Sequence, residues 1–302
     1  MKKNNDLVFG QLEYQNDEWV KTVDISLFGR QKQMDIRVKD DNKEGILDAQ
    51  RDAYLTYEKN VSNYKKTVPL TLLEYFLDHF EEIDKVVELS EDAQKDTIKA
   101  ERIFRMFMIM SLYFDRKGNF GWICRFSWED NGLAILLSED TPRVLTPSQL
   151  YDYRKIDDPV FGEMIYDAGW EKREKKSLYG KEKLISIATC DYGNGITDVH
   201  RASYKKYQEN ESRYLEEIPL ALLEYYLSMY DEIKEYWRVP RQYTKKNVTK
   251  ENIMDLIDFK TLYFRYNGMF AWLCECPWEE ECGLAFVLSE DKIRVALQTD
   301  IL

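Results

Sequence analysis

The stretch LYFDRKGNFGWICRFSWEDNGLAILLSEDTPRV, Leu112 to Val144, returns at Leu262 to Val295 as LYFRYNGMFAWLCECPWEEECGLAFVLSEDKIRV. Each copy is a series of short apolar and aromatic runs separated by turn-forming residues, the pattern of strands joined by tight turns. Asn267-Gly268, between Leu262-Tyr263-Phe264 and Phe270-Ala271-Trp272-Leu273-Cys274, is a two-residue turn that asks for positive φ and marks a hairpin. The first copy has a longer glycine-containing loop there, Arg116 to Asn119. Gly132-Leu133-Ala134 and Gly283-Leu284-Ala285 open a third run. Ser138-Glu139-Asp140 and Ser289-Glu290-Asp291 then turn the chain into Arg143-Val144 and Arg294-Val295. Connections this short join antiparallel neighbours, so each copy predicts a meander of about four strands.

The repetition spreads outward from the meander at an offset of 150 to 152 residues. Phe9-Gly10 matches Phe161-Gly162, Trp19 matches Trp170, and Leu27-Phe28-Gly29 matches Leu178-Tyr179-Gly180. Arg51, Tyr54, Tyr57 and Asn60 match Arg201, Tyr204, Tyr207 and Asn210; Leu72-Leu73-Glu74-Tyr75 matches Leu222-Leu223-Glu224-Tyr225. A period this long means that whole domains were duplicated, in contrast to the short repeats of a solenoid. The segment Thr146 to Val160, with Pro147, Pro159 and a charged middle, places the boundary near Asp157, giving domains 1–156 and 157–302.

Within a copy, Val20 to Leu27 and Gln33 to Val38 alternate as two strands of a hairpin around a glycine turn. The second copy is weaker here, since Trp170 to Lys176 is mostly charged, although Leu184 to Ile187 still reads as a strand. Two helices follow. Ile46 to Tyr64 carries apolar residues at helical spacing, as does Ile196 to Tyr214, and Pro69 and Pro219 stand where a second helix begins, the first turn losing nothing by a missing N–H. A short amphipathic stretch, 103–110 or 253–257, leads into the meander. The expected fold class is α+β: two tandem homologous domains, each an antiparallel sheet of N-terminal hairpin plus C-terminal meander, covered by two to three helices.

At 302 residues the chain has room for two domains that each bury a core. A net charge of -12 would repel phosphate, which disfavours nucleic acid as a partner and favours a basic protein. The start, MKKNNDLVFG, lacks the apolar core of a signal peptide, and no run reaches membrane-spanning length, so the expectation is a cytoplasmic protein with no membrane partner. Five cysteines, an odd number and scattered, suggest reduced thiols. After the second helix the copies diverge: 88–101, ELSEDAQKDTIKAE, is acidic, whereas 238–250, RVPRQYTKKNVTK, is basic. Charge runs of this kind are ordinarily solvated loops, yet divergent loops on a duplicated scaffold are also where separate specificities are placed.

Catalytic signatures are sparse. The histidines are His79, replaced by Met229 in the second copy, and His200, which corresponds to Gln50, so neither recurs. There is no glycine-rich phosphate loop, nucleophile elbow or histidine-pair metal motif, and no cofactor is expected. Cys274, Cys276 and Cys282 bring soft ligands close along a strand, but the first copy has Cys124, Phe126 and Asn131 there and no fourth ligand is near, so core thiols are the better account. Acidic clusters remain as candidate sites: Trp128-Glu129-Asp130 and Trp278-Glu279-Glu280-Glu281 in one inter-strand loop, and Glu139-Asp140 and Glu290-Asp291 in the next. A tryptophan flanked by carboxylates on a rigid hairpin suits a basic protein surface, the ring giving buried area and the acids giving steering. Serine, Glu and Asp are also ordinary turn residues at an exposed sheet end.

Phe9-Gly10, Trp19, Leu27-Phe28-Gly29, Gln50-Arg51 with Tyr54, and Trp278-Glu279-Glu280-Glu281 before Gly283-Leu284 resemble an uncharacterised bacterial family built on a domain of unknown function. The likeness covers both copies. It implies an α+β fold and a bacterial origin, and some members of that family are regarded as candidate immunity proteins of toxin systems. Its closing motif often carries a histidine before the glycine, where this chain has Asn131 and Cys282. The leading expectation is thus a non-catalytic, immunity-like binding protein. The competing ones are a carboxylate-based, metal-assisted hydrolase acting through Glu129, Glu139 and their second-copy equivalents, and a structural module that self-associates.

Overall fold

The computed structural model describes every residue except Met1, Phe104, Arg105, Asp191, Tyr192 and Asn194, and for Arg30 the backbone alone. The chain divides into two compact units, Met1–Arg154 and Lys155–Leu302. Unit 1 runs β1 (Lys3–Asp6), β2 (Gly10–Gln15), β3 (Glu18–Leu27), β4 (Arg30–Lys39), α1 (Asp48–Asp78), α2 (Phe80–Val86), α3 (Ala100–Ile103), β5 (Phe107–Phe114), β6 (Phe120–Phe126), β7 (Leu133–Leu136), β8 (Arg143–Leu145) and α4 (Pro147–Tyr151). Unit 2 repeats it as β9 (Lys155–Asp158), β10 (Gly162–Tyr166), β11 (Gly169–Leu178), β12 (Lys181–Cys190), α5 (Asp198–Tyr236), β13 (Asp258–Phe264), β14 (Phe270–Glu275), β15 (Leu284–Leu288) and β16 (Arg294–Leu297). Each unit is thus an α+β domain with an eight-stranded sheet whose strands lie side by side in chain order. All pairs are antiparallel except β4 with β5 and β12 with β13, where Ile36 faces Leu112 and Ile187 faces Leu262. Those two pairs run parallel because the helical segment carries the chain back along the sheet before the meander begins.

Four features depart from the sequence expectation. The opening hairpin is a four-stranded meander: β1, at the sheet edge, and β2 beside it are polar strands whose apolar alternation is too short to register, Leu12 being their one buried apolar residue. The charged segment 170–176 lies within the ten-residue strand β11, paired with β12 along its whole length. There the Nζ atoms of Lys172 and Lys176 stand over the rings of Tyr204 (5.4 Å) and Tyr207 (5.7 Å), as that of Lys21 stands over Tyr54 (5.3 Å) in unit 1. Pro69 and Pro219 do not open helices; they lie inside α1 and α5. The buried residues Tyr57, Tyr64, Val68, Leu72 and Phe76 keep helical phase straight through Pro69, so the stripe that packs on the sheet outweighs the lost hydrogen bond. Finally, the presumed linker is structured: Thr146 caps α4 with Pro147 at its first turn, and Lys155 to Asp158 is a strand.

The lead-in 103–110 is divided between the end of α3 and the start of β5, with Phe104 and Arg105 outside the described residues; 253–257 falls mostly in a 3₁₀ turn. The core of each unit lies between helix and sheet, with Trp122 and Trp272 fully buried at its centre against Tyr57 and Tyr207. Among the described residues no helix is long and apolar enough to cross a membrane.

Candidate functional site

The β3–β4 and β11–β12 turns each place an aromatic residue where a left-handed backbone is required. Phe28-Gly29 has φ of 54° and 73°, and Tyr179-Gly180 has 50° and 79°. Two consecutive positive φ values normally select Asn, Asp or Gly, and a bulky residue there carries strain of about 1–2 kcal/mol. The rings offset that strain by packing inward. Phe28 meets Trp122 edge-on at 6.1 Å, and Tyr179 stacks on Phe259 at 5.6 Å. Tyr179 also donates its hydroxyl to the carbonyl of Leu215 at 2.7 Å, the carbonyl that Pro219 four residues on leaves without its helical donor.

A cavity opens beside each of these turns. In unit 1 it measures about 500 Å³ and is lined by Phe28, Lys32, Met106, Phe107 and Arg125 among others. In unit 2 it measures about 480 Å³ and is lined by Tyr179, Lys183, Leu215, Met254 and Phe259 among others. Five equivalent positions line both: Leu27 and Leu178, Phe28 and Tyr179, Lys32 and Lys183, Phe107 and Ile257, Ile109 and Phe259. Volumes of this order fit a side chain cluster or small molecule. The rims differ in charge. Lys183 is neutralised by Asp258, which Lys260 also bridges at 3.0 Å to form a network reaching Glu275. In unit 1 the corresponding positions are Met108, 54% exposed, with Arg125 across the strand pair, so the polar network is replaced by a methionine and a cation.

At the same end of each sheet lies the tryptophan loop between the second and third strands of the meander. Gly132 and Gly283 close it with φ of 72° and 61°; a β-carbon there would stand 2.5 Å from the Cys124 carbonyl or 2.8 Å from that of Cys274. Trp278 is buried, its ring 5.2 Å from Tyr226 and 5.8 Å from Trp237; Trp128 is half-buried against Phe76 at 5.7 Å and Phe126 at 4.9 Å. Both rings therefore pin the loop to the core. The carboxylates beside them point to solvent: Asp130, Glu280 and Glu281 are exposed, Glu129 and Glu279 half-buried, and none of the five has an ion-pair partner among the described residues.

Glu139-Asp140 and Glu290-Asp291 lie in the next loop. In an antiparallel meander successive loops alternate between sheet ends, so this loop is at the end opposite the tryptophan loop. Glu129 and Glu139 do not meet within a unit, nor do Glu279 and Glu290, which removes the shared carboxylate centre a metal-assisted hydrolase in one unit would need. Glu139 accepts the Tyr153 hydroxyl at 2.6 Å and faces Arg143 at 3.4 Å. Glu290 pairs with Lys206 at 2.9 Å, which holds its carboxyl below the ordinary value, and Arg213 donates to the backbone carbonyls of Ser289 and Glu290 at 3.2 and 2.9 Å. Asp140 and Asp291 remain exposed.

Cys274 and Cys276 are buried and Cys282 is half-buried. Burial pushes the Cys276 thiol up to about 12 and that of Cys274 well above its ordinary value, which keeps both protonated. No group of three metal-ligating side chains occurs among the described residues. His200 stands where Gln50 does and takes over its capping role: its Nδ1 accepts the Thr197 N–H at 3.2 Å, while Nε2 lies 3.8 Å from Cys190 Sγ. His79 stacks on Tyr75 with ring centres 4.1 Å apart.

Two units that repeat one sheet, one packed long helix and one turn-side cavity define a tandem-duplicated α+β protein. The chain belongs to the family described as domain of unknown function DUF6985, whose model matches residues 8–147 and again 160–302. No curated protein and no solved structure matches it.

Proposed function

We propose that the protein is a non-catalytic binding protein, immunity-like and acting in the bacterial cytoplasm, that engages a basic protein partner. The observation that carries this reading is the tryptophan loop. Its backbone is clamped to the core by Trp128 or Trp278 and by a glycine, while Glu129, Asp130 and Glu279 to Glu281 have no ion-pair partner among the described residues. Acidic groups on a rigid frame steer a basic surface and lose little entropy on contact. The cavity at the same sheet end supplies apolar contact that carboxylates cannot. The net charge of -12 adds long-range attraction of the same sign.

The test is affinity capture from native lysate with the full chain as bait, followed by reconstitution with the captured protein. Glu279→Lys, Glu280→Lys and Glu281→Lys together should weaken a reconstituted complex about tenfold or more at physiological salt, mainly through a slower on-rate. Capture of nothing at low and physiological salt alike, or a complex indifferent to this reversal, sinks the reading.

A further inference from the structure

The loops that follow the long helices share a backbone and oppose each other in charge. In unit 1 the Ala93 N–H donates to Ser90 O at 2.9 Å, Thr97 to Gln94 O at 3.0 Å and Ile98 to Gln94 O at 2.9 Å. In unit 2 the Tyr243 N–H donates to Pro240 O at 2.9 Å, Asn247 to Thr244 O at 2.8 Å and Val248 to Thr244 O at 2.9 Å. Ala93 and Tyr243 are buried at the same point of this frame, each within a 3₁₀ turn. On the frame three outward positions change sign, while Lys95 and Lys245 are basic in both loops. Glu88 corresponds to Arg238, Glu91 to Arg241 and Asp96 to Lys246, at a constant offset of 150. All six are exposed, and none has an ion-pair partner among the described residues. At the foot of each loop an apolar residue is also exposed, Val86 at 69% and Tyr236 at 84%.

We infer that two copies of the chain associate through these loops, the acidic loop of one copy against the basic loop of the other. One frame carries acids at three positions where the other carries bases, so opposed loops set a predominantly acidic surface against a basic one, and Val86 and Tyr236 are available to lose water at the edge of the contact. The occupant follows from charge and shape together. In a chain of net charge -12, the segment 238–250 carries five basic residues and no acid, and the loop that shares its backbone frame and opposes it in net charge is the unit 1 loop of a second copy. Exposed ion pairs are individually weak, so the association is salt-sensitive and rests on the set acting together. This inference uses neither the tryptophan loop nor the cavities and stands apart from the function proposed above.

Sedimentation velocity on the full chain tests it. Wild type should show concentration-dependent association at about 20 mM salt and a dissociation constant raised about tenfold or more at about 500 mM, where the screening length falls to a few ångströms. Glu88→Arg, Glu91→Arg and Asp96→Lys together should give monomer, as should Arg238→Glu, Arg241→Glu and Lys246→Asp together. The six substitutions combined exchange the loop charges and should restore association. Circular dichroism checks that these surface variants are folded. A wild type that stays monomeric at every concentration at low salt, association untouched by either triple reversal, or failure of the six-fold exchange to restore it overturns the inference. A monomeric chain that binds a duplex oligonucleotide through Arg238, Arg241 and Lys246 overturns it too, and assigns the basic loop to a polyanion.

Discussion

Asp6 and Asp158 are the residues that tie the first turn of each unit to its long helix. Asp6 accepts the N–H groups of Val8 at 2.9 Å and Phe9 at 3.1 Å with one oxygen and Arg51 at 2.8 Å with the other; Asp158 does the same with Val160, Phe161 and Arg201 at 2.9, 3.0 and 2.8 Å. Burial alone would raise both carboxyls, but the backbone donors and the guanidinium outweigh it, so both lie below the ordinary value. A depressed folded-state value contributes stability that is present above the unfolded-chain value near 4 and is lost as pH falls through the folded one. Asp158→Asn should therefore cost about 2–3 kcal/mol at pH 7, with the gap to wild type closing below about pH 4 as the native carboxyl is protonated. Urea unfolding at pH 7 and pH 3 measures it; a cost that does not change with pH would contradict the account. Arg51 and Arg201 stand out in the sequence as a repeated pair, but their partners are more than forty residues away and only the folded chain shows them.

Proline inside a long helix is tolerated here by packing on the sheet, and in unit 2 another donor also meets the carbonyl it abandons. At Pro219 that is Tyr179, whose hydroxyl reaches Leu215 O; in unit 1 the aromatic at the turn is Phe28, which has no hydroxyl to give. Tyr179→Phe should cost about 1 kcal/mol in the wild-type background and less than half of that once Pro219→Ala restores a backbone donor to Leu215. A double-mutant cycle by urea unfolding reads the difference, and equal costs in both backgrounds would show that the hydroxyl and the proline are uncoupled. The two helical stripes were legible because their period is local. Their fusion into α1 and α5 was not, because a proline at a first turn and a proline in an interior differ only in what lies N-terminal to them and in how much of that packs on the sheet.

Each unit has a core of its own. The main hydrophobic clusters of the two units share no residue, one drawing on Phe9 to Leu137 and the other on Phe161 to Ile293. Sheet, long helix and meander are complete within 1–154 and within 155–302. Each fragment expressed alone should show mixed helix and strand in far-UV circular dichroism and a cooperative urea transition with a slope of about 1–3 kcal/mol per molar. A fragment that is unstructured, or that loses structure gradually, would mean that the units depend on one another for stability. The duplication itself is visible in the bare sequence; the eight-strand width of each sheet is not, since β1, β2 and their counterparts are short and bury one residue apiece, Asp6, Leu12, Asp158 and Met164.

What the amino-acid sequence determined by itself was everything that depends on local period: the two homologous halves, the hairpin and meander strands and the apolar helix stripes. What only the tertiary structure decided was which distant groups meet. Glu129 and Glu139 are ten residues apart yet lie at opposite ends of the sheet, the tryptophans flanked by acids turn inward, and the acidic and basic loops prove to share one backbone with the charge reversed at three positions. The reason is physical: side-chain alternation reports the direction each residue faces within its own element, whereas strand sense, burial against another layer and equivalence of loop geometry exist only once those elements have packed together.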